Sequence, residues 1–285
     1  MTLDARRIRA GLATAGAWAV LGAFGLLILV PLAFMLGASL MPGIDVMSMP
    51  YPWIPRAPKW ANFVQALAGN DGSWIYLRNI LNSLIVSCTI AFTTVFLSAA
   101  AGFGLAKYRF KGRNVAFMAF MATMMIPFET VMIPLYLVVV KLGMQDSYAG
   151  LIVPFLMSAF GVFFMRQYLV GFPEDILDAA RIDGCAEPRM LLRVVMPNAG
   201  PAVATLAILV FRQQWDNLLW PLLIAQRPEM KTIPAYITGF AAEKSSDEGA
   251  MMAVAVIASI PVFILFFTLS KYFLGGASVY SAGKE

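Results

Sequence analysis

The chain contains no histidine, only two cysteines and little charge: 13% of its 285 residues are Asp, Glu, Lys or Arg, about half the share usual in a soluble domain. Without histidine, Ser-His-Asp and Cys-His catalysis, H-E-x-x-H metal sites and histidine proton relays are excluded together. Cys88 and Cys185 lie in unrelated contexts with no C-x-x-C spacing, so both read as ordinary thiols. A G-x-x-x-x-G-K-[ST] loop is missing as well, which excludes ATP binding through that motif. The charges are too few to coat a water-soluble globule of this length.

What is present is apolar. Hydrophobic residues make up 60% of the chain, and the mean hydropathy is +0.75. A membrane helix needs about 20 apolar residues to cross about 30 Å of hydrocarbon. Uncharged stretches that meet this need are Gly11–Ile44, Asn79–Ala106, Ser147–Met165 and Gly249–Ser270. Two more spans carry charge: Asn114–Val140 contains Glu129, and Val194–Gln226 contains Arg212 and Asp216. The expected fold is therefore an all-α integral membrane protein of six helices, near 14–40, 80–106, 115–140, 148–168, 200–224 and 250–272. They form one membrane domain over 11–273, between short tails at 1–10 and 274–285. The first span follows Arg6, Arg7 and Arg9, but its apolar run is far longer than a signal-peptide core, so it reads as a retained helix.

Lysine and arginine are distributed unevenly between the two sides this topology creates. Thirteen fall on the side of the termini and seven on the other. The short Lys107-Tyr-Arg-Phe-Lys-Gly-Arg113 loop is the sharpest marker. By the positive-inside rule both termini and the Arg166–Arg193 loop are cytoplasmic. The isoelectric point near 9.3 thus reflects membrane orientation, and no nucleic-acid partner is expected. On the opposite side, Pro42, Pro50, Pro52, Pro55 and Pro58 stiffen a loop that also carries Trp53, Trp60 and Trp74, residues suited to the membrane–water boundary. The segment Gln226–Gly249 reads as a long polar loop.

The cytoplasmic stretch Gly171–Gly184 reads as a short helix with defined ends. Pro173 suits a first turn, Glu174 and Asp175 favour the positive end of the helix dipole, and Gly184 suits the stop. Ile176, Ala179, Ala180 and Asp183 fall on one shallow face that a partner can approach closely. A second helical piece starts around Pro188 and runs through Val195 towards Pro197, so the loop forms a knob between two spans.

Asp178-Ala-Ala, three residues, Gly184, nine residues, then Val194-Val-Met-Pro197 resembles the "EAA" motif, E-A-A-x3-G-x9-I-x-L-P, of ABC importer permeases. Asp178, Val194 and Met196 depart from it conservatively. Asn79-Ile-Leu-Asn-Ser83, the run Met125–Tyr136 and Trp215-Asp-Asn-Leu-Leu-Trp-Pro-Leu222 resemble further stretches of the same family, with Asp216 in place of its usual Asn. The chain most resembles carbohydrate permeases, in particular the smaller, MalG-like permease subunit of maltose-type importers. The resemblance implies a coupling helix between the fourth and fifth spans that seats Asp178, Ala179, Ala180, Asp183 and Gly184, with Pro197 closing the motif, in a groove of an ATPase subunit. It also implies two ATP-binding-cassette ATPase subunits that bind ATP and Mg, a second non-identical permease subunit and an extracytoplasmic sugar-binding protein. This chain would then bind no cofactor, hold no metal and catalyse no reaction itself, and would sit as a multi-pass protein in a prokaryotic cytoplasmic membrane. The outer loop after the fifth span would reach the binding protein.

Ionisable residues inside spans count as functional candidates. Arg212 and Asp216 stand four apart and can neutralise each other. With Asn217 and the rings of Trp215 and Trp220 they have the chemistry of a path for hydroxylated solutes. An interfacial position, or a tie to the second subunit, explains the pair equally well. Glu129 lies between Pro127 and Pro134, where it serves either donors freed at a helix break or a proton relay. The competing function is a secondary transporter driven by an ion gradient through Glu129, Arg212 and Asp216. Sugar, amino sugar and glycerol-3-phosphate all remain open as solutes.

Overall fold

The computed structural model describes residues 2–242 and 247–279, with side chains over 14–242 and 247–269. The expected tails at 1–10 and 274–285 lie outside the described side chains. All regular structure among the described residues is helical. In chain order the helices are α1 (Thr2–Ser39), α2 (Gly43–Val46), α3 (Ala61–Ala68), α4 (Ile75–Lys107), α5 (Arg113–Met124), α6 (Phe128–Lys141), α7 (Tyr148–Ile152), α8 (Ala159–Val170), α9 (Glu174–Ile182), α10 (Glu187–Met190), α11 (Met196–Asn198), α12 (Gly200–Trp215), α13 (Leu219–Ile224), α14 (Ile233–Ala242) and α15 (Glu248–Val279).

Thr14–Ser39, Ile75–Lys107 and Glu248–Leu269 are each long and apolar enough to cross a membrane. Three further candidates are broken pairs: α5 with α6, bent by 95°, Tyr148–Phe155 with α8, bent by 42°, and Glu187–Asn198 with α12, bent by 86°. Among the described residues the candidate spans therefore number three, or up to six if each bent pair crosses once. Each break has a chemical cause. Pro127 precedes α6 in an extended conformation, and a proline disfavours helical geometry in the residue before it. Ser158 opens α8 by accepting from the Gly161 amide at 3.4 Å, and Pro201 stands in the first turn of α12.

The chain divides into two units, Met1–Ser73 with Phe240–Ile257, and Trp74–Gly239 with Ala258–Glu285. In the first, fully buried Asn62 donates from Nδ2 to the Ser39 and Met41 carbonyls at 3.0 and 2.7 Å. Lys59 Nζ pairs with Asp247 Oδ2 at 2.8 Å. Gly249 touches the same corner so closely that a Cβ would come within 2.0 Å of the Met41 carbonyl oxygen.

The second unit is built on α4, which packs against α8 and α12. Its buried face mixes Val86, Ile90, Val95, Ala99 and Phe103 with Asn79, Asn82, Ser83, Ser87, Thr94 and Ser98. Small and polar residues suit helix contacts inside a bilayer, where apolar packing alone gives no advantage over lipid. At the α4–α8 crossing, a Cβ on Gly102 would lie 2.8 Å from the Arg166 amide nitrogen, and one on Gly161 would lie 2.3 Å from Ser98 Oγ.

The segment expected as a polar loop after the fifth span contains instead a turn at Pro228–Met230 and the apolar helix α14. Pro228, Pro234 and Gly239 look like helix breakers in sequence, yet Pro234 falls in the first turn of α14, where a missing amide costs nothing. Asn82 holds the approach to α14: its Nδ2 donates to the Glu229 and Lys231 carbonyls at 2.8 and 2.9 Å, and its Oδ1 accepts from Tyr148 Oη at 2.6 Å. Ser83 Oγ accepts from the Ile233 amide at 2.7 Å, and Tyr236 stacks on Tyr76 at 4.7 Å between centroids.

Gly161→Ala should lower stability by about 1–3 kcal/mol through overpacking. Ser98→Ala in the same chain should recover part of the loss, because it removes the nearest obstructing atom. Thermal unfolding of the purified protein in detergent checks both.

Candidate functional site

Helix α9 carries Asp178, Ala179 and Ala180, and Asp183 and Gly184 end it. Glu174 and Asp175 occupy the first turn and Arg181 the last, matching the helix dipole at both ends. Gly184 has φ +74° with nothing near its missing Cβ, so backbone geometry, not crowding, favours glycine there. Its amide donates to the Arg181 carbonyl at 3.0 Å, closing the turn.

Along α9 Leu177 alone is buried. Leu177 is completely buried, whereas Ile176, Ala179 and Asp183 are exposed and Ala180 is half-buried. The face expected to meet a partner is thus open, and Leu177 ties the opposite face to the rest of the second unit. Ile182, 86% exposed at the helix end, adds a large apolar side chain that the i, i+3, i+4 pattern did not single out.

Side chains from the end of α4 hold α9 laterally. Lys107 Nζ donates to the Phe172 carbonyl at 2.6 Å and to Glu174 Oε1 at 2.8 Å. The Lys107 side chain is only 3% exposed. The Tyr108 hydroxyl donates to Glu187 Oε2. Glu187 Oε1 accepts from Arg181 Nε at 3.2 Å, and Arg181 Nη1 donates to Asp178 Oδ1 at 2.9 Å. Asp178 is therefore already paired within its own helix. Burial, reinforced by the Glu187 carboxylate, pushes the Tyr108 hydroxyl up to about 12. The Tyr108 hydrogen bond, outweighing desolvation and aided by Arg181, holds the Glu187 carboxyl below its ordinary value.

After α9, Glu187–Asn198 forms a second helical leg with a widened π turn over Leu191–Val195. Pro197 lies just past this turn. It has no amide to donate and its ring crowds the carbonyl four residues back, a conflict that a π turn relieves without ending the helix. Met190 and Val195 are fully buried.

The residues expected along a solute path separate into two groups. A cavity of about 550 Å³ is lined by Glu129, Gln213, Gln214, Asp216 and Asn217, with the Phe128 and Phe155 rings nearby. Arg212 meets Asp216 at 3.4 Å, both side chains more than half exposed in this chain. The two tryptophans are packed away from that wall. Trp215 is 3% exposed and donates from Nε1 to the Ala258 carbonyl at 3.0 Å. Trp220 is 1% exposed and donates to the Gly150 carbonyl at 3.0 Å, edge-on to Phe128 and Phe155. Each buried indole has its N–H paired with a carbonyl, and Trp215 with Asp216 lines a second cavity, apart from that wall. Gln213 and Gln214, uncharged neighbours of the Arg212–Asp216 pair, carried no signal in the sequence. Among the described residues no group of three or more His, Cys, Asp or Glu comes together as a metal set.

Helices broken beside a polar cavity, together with an externally open helix braced at the end of a long span, define a membrane transport component. The chain belongs to the family described as binding-protein-dependent transport system inner membrane component, whose profile matches residues 94–276. It is 36% identical over 254 residues to the arabinooligosaccharides transport system permease protein AraQ of Bacillus subtilis, covering 89% of this chain and 90% of that protein. It is 30% identical to the lactose transport system permease protein LacG of Rhizobium radiobacter, over 68% of this chain and 71% of that one. It is 29% identical to the sn-glycerol-3-phosphate transport system permease protein UgpE of Rhizobium meliloti, over 88% and 92%. Its fold is shared with a crystal structure of a bacterial ABC transporter involved in the import of the acidic polysaccharide alginate, with a TM-score of 0.78 at 23% identity, over 92% of this chain and 96% of that one.

Because the Glu187 carboxyl is depressed, the Tyr108–Glu187 bond contributes stability above the usual glutamate pKa of about 4.3 and loses it as pH falls through the lowered value. Tyr108 contributes below about 10 and loses its share only as pH rises through its own raised value. Tyr108→Phe should therefore lower the melting temperature at pH 7, by an amount reflecting about 1 kcal/mol or less. The gap between variant and wild type should narrow as pH falls below about 4.

Proposed function

We propose that this chain is a permease subunit of an ATP-binding-cassette importer that carries a saccharide inward across a prokaryotic cytoplasmic membrane. In that role it has six spans, both termini are cytoplasmic, and α9 is the coupling helix. The observation that carries this reading is the form of α9, a capped helix with one face anchored by Leu177 and the opposite face, Ile176, Ala179 and Asp183, open to a partner. The partners are two ATPase subunits that bind ATP and Mg, a second, non-identical permease subunit and an extracytoplasmic solute-binding protein.

The relatives named for arabinooligosaccharides and lactose favour a neutral oligosaccharide over a phosphorylated solute. The cavity chemistry agrees. Glutamine, asparagine and carboxylate groups beside phenylalanine rings offer donors, acceptors and flat apolar faces to sugar hydroxyls and ring carbons. Within the importer, Glu129, Asp216 and Asn217 belong to this wall, Arg212 compensates Asp216, and Trp215 and Trp220 hold the helices that present it.

The test is co-purification and uptake. A tagged form of this chain should bring down an ATPase, and Ile182→Asp, an exposed change that leaves the fold intact, should weaken that association and lower uptake of a radiolabelled neutral oligosaccharide by about tenfold. Abolishing the proton gradient while ATP is maintained should leave uptake intact. Immediate loss of uptake on that treatment would support ion coupling through Glu129, Arg212 and Asp216 instead.

A further inference from the structure

The connections of α9 along the chain are poorly suited to carrying load. On one side Gly171, Phe172 and Pro173 separate it from α8, and on the other Gly184 turns the backbone through a left-handed conformation. Beyond those connectors, α8 follows a 42° bend and α12 follows an 86° bend. A displacement passed along either route would be absorbed at the breaks. The lateral connection is different. Lys107 holds the Phe172 carbonyl and Glu174 at the start of α9. Tyr108 reaches the far end through Glu187 and Arg181. Phe103 packs edge-on against the Tyr108 ring at 5.4 Å, which fixes the tyrosine to the last turns of α4.

Helix α4 itself suits transmission. It runs 33 residues with no proline inside it, a rod of about 50 Å at 1.5 Å per residue. Farther along, Ile90 and Thr94 form part of the wall of the cavity that Glu129 and Asp216 line. One continuous element therefore joins the braced helix to the polar cavity.

We infer that Lys107 and Tyr108 are positioning residues that deliver the displacement of α9 to α4, and through α4 to the cavity wall, instead of along the chain into α8 or α12. This rests on the coupling role of α9 proposed above. Burial makes the lysine an effective strut. Its side chain is itself shielded from water, and its ammonium is held by a carbonyl and by a carboxylate at the surface, so its geometry is fixed by charge-assisted hydrogen bonds. Replacing it with alanine leaves α9 folded, since Leu177 and the Arg181 bridges to Asp178 and Glu187 remain, but frees its first turn from α4.

The experiment uses the whole complex, permease pair with ATPase subunits, in lipid nanodiscs, with Cys88→Ser and Cys185→Ser as background. Gln213→Cys reports on the cavity through its rate of labelling by a charged maleimide, with and without a non-hydrolysable ATP analogue and Mg. Ala179→Cys, in a parallel sample, reports docking through cross-linking to the ATPase subunit. With Lys107→Ala, the cross-link and the basal ATPase rate should persist while the nucleotide-dependent change in labelling falls by about fivefold or more, the scale of an ordinary coupling free energy. Lys107→Arg should restore most of it, and Tyr108→Phe should give a smaller loss. If Lys107→Ala does not assemble, Tyr108→Phe and Lys107→Arg together provide the same comparison.

An unchanged labelling response with the cross-link intact overturns the route through α4 alone. Loss of cross-link, ATPase rate and labelling response in proportion also overturns it, since the two residues would then serve only docking. Absence of the cross-link in the otherwise wild-type complex overturns the coupling role of α9 and this inference with it.

Discussion

The second unit depends on how closely α4 and α8 approach. Gly102 lets the α8 backbone, and Gly161 the Ser98 side chain, approach to distances no Cβ could share. In a bilayer this matters more than in water, because lipid tails solvate apolar side chains as well as a neighbouring helix does. Dense packing and local polar contacts must then supply the specificity of association. The Gly102 contact falls on Met165 and Arg166, near the end of α8. That register brings the chain leaving α8 beside Lys107, and so the Phe172 carbonyl and Glu174 fall within reach of its ammonium.

The breaks in the other helices follow from the same constraint. A backbone group left unpaired inside hydrocarbon is costly, so irregular segments are tolerated where protein or a water-filled cavity covers them. The break before α6 and the break before α8 both border the cavity lined by Glu129, Asp216 and Asn217, as does the turn that joins α12 to α13. Glu129 and Asp216, charges that interrupt two spans, thus lie together in space although they are far apart in sequence. Glu129, in the first turn of α6, sits where the helix dipole favours a carboxylate.

Much of this was legible in the amino-acid order. Apolar runs of sufficient length located the helices, and the Asp178–Pro197 spacing located α9 and the leg after it. Of the four residues the i, i+3, i+4 pattern placed on one face of α9, Ile176, Ala179 and Asp183 are exposed and Ala180 is half-buried. What stayed hidden shares one physical cause, dependence on contacts between distant residues. Lys107 reads in sequence as one more cation in a basic loop, and its pairing with Glu174 exists only because two helices pack in one register. Trp215 and Trp220 have the composition of a sugar platform, but whether an indole faces a cavity or the bundle depends on the rotation of its helix. Pro234 reads as a breaker because sequence alone does not show that it occupies a first turn, where its missing amide is harmless.

The buried lysine poses an energetic question whose answer ties these features together. Taking an ammonium from water is expensive, and a single exposed carboxylate such as Glu174 compensates it only in part. The Phe172 carbonyl supplies a second acceptor at 2.6 Å, and it is available because the chain turns there towards Pro173 and cannot continue the helix of α8. A proline that ends one helix and starts the next therefore also presents the acceptor that makes a buried cation tolerable. An uninterrupted helix at this point would have kept that carbonyl for its own hydrogen bonds, and the lysine would have had to turn out to water, leaving α9 joined to α4 only through Tyr108 and Glu187. The helix break is thus what allows a lateral strut to replace a stiff connection along the chain.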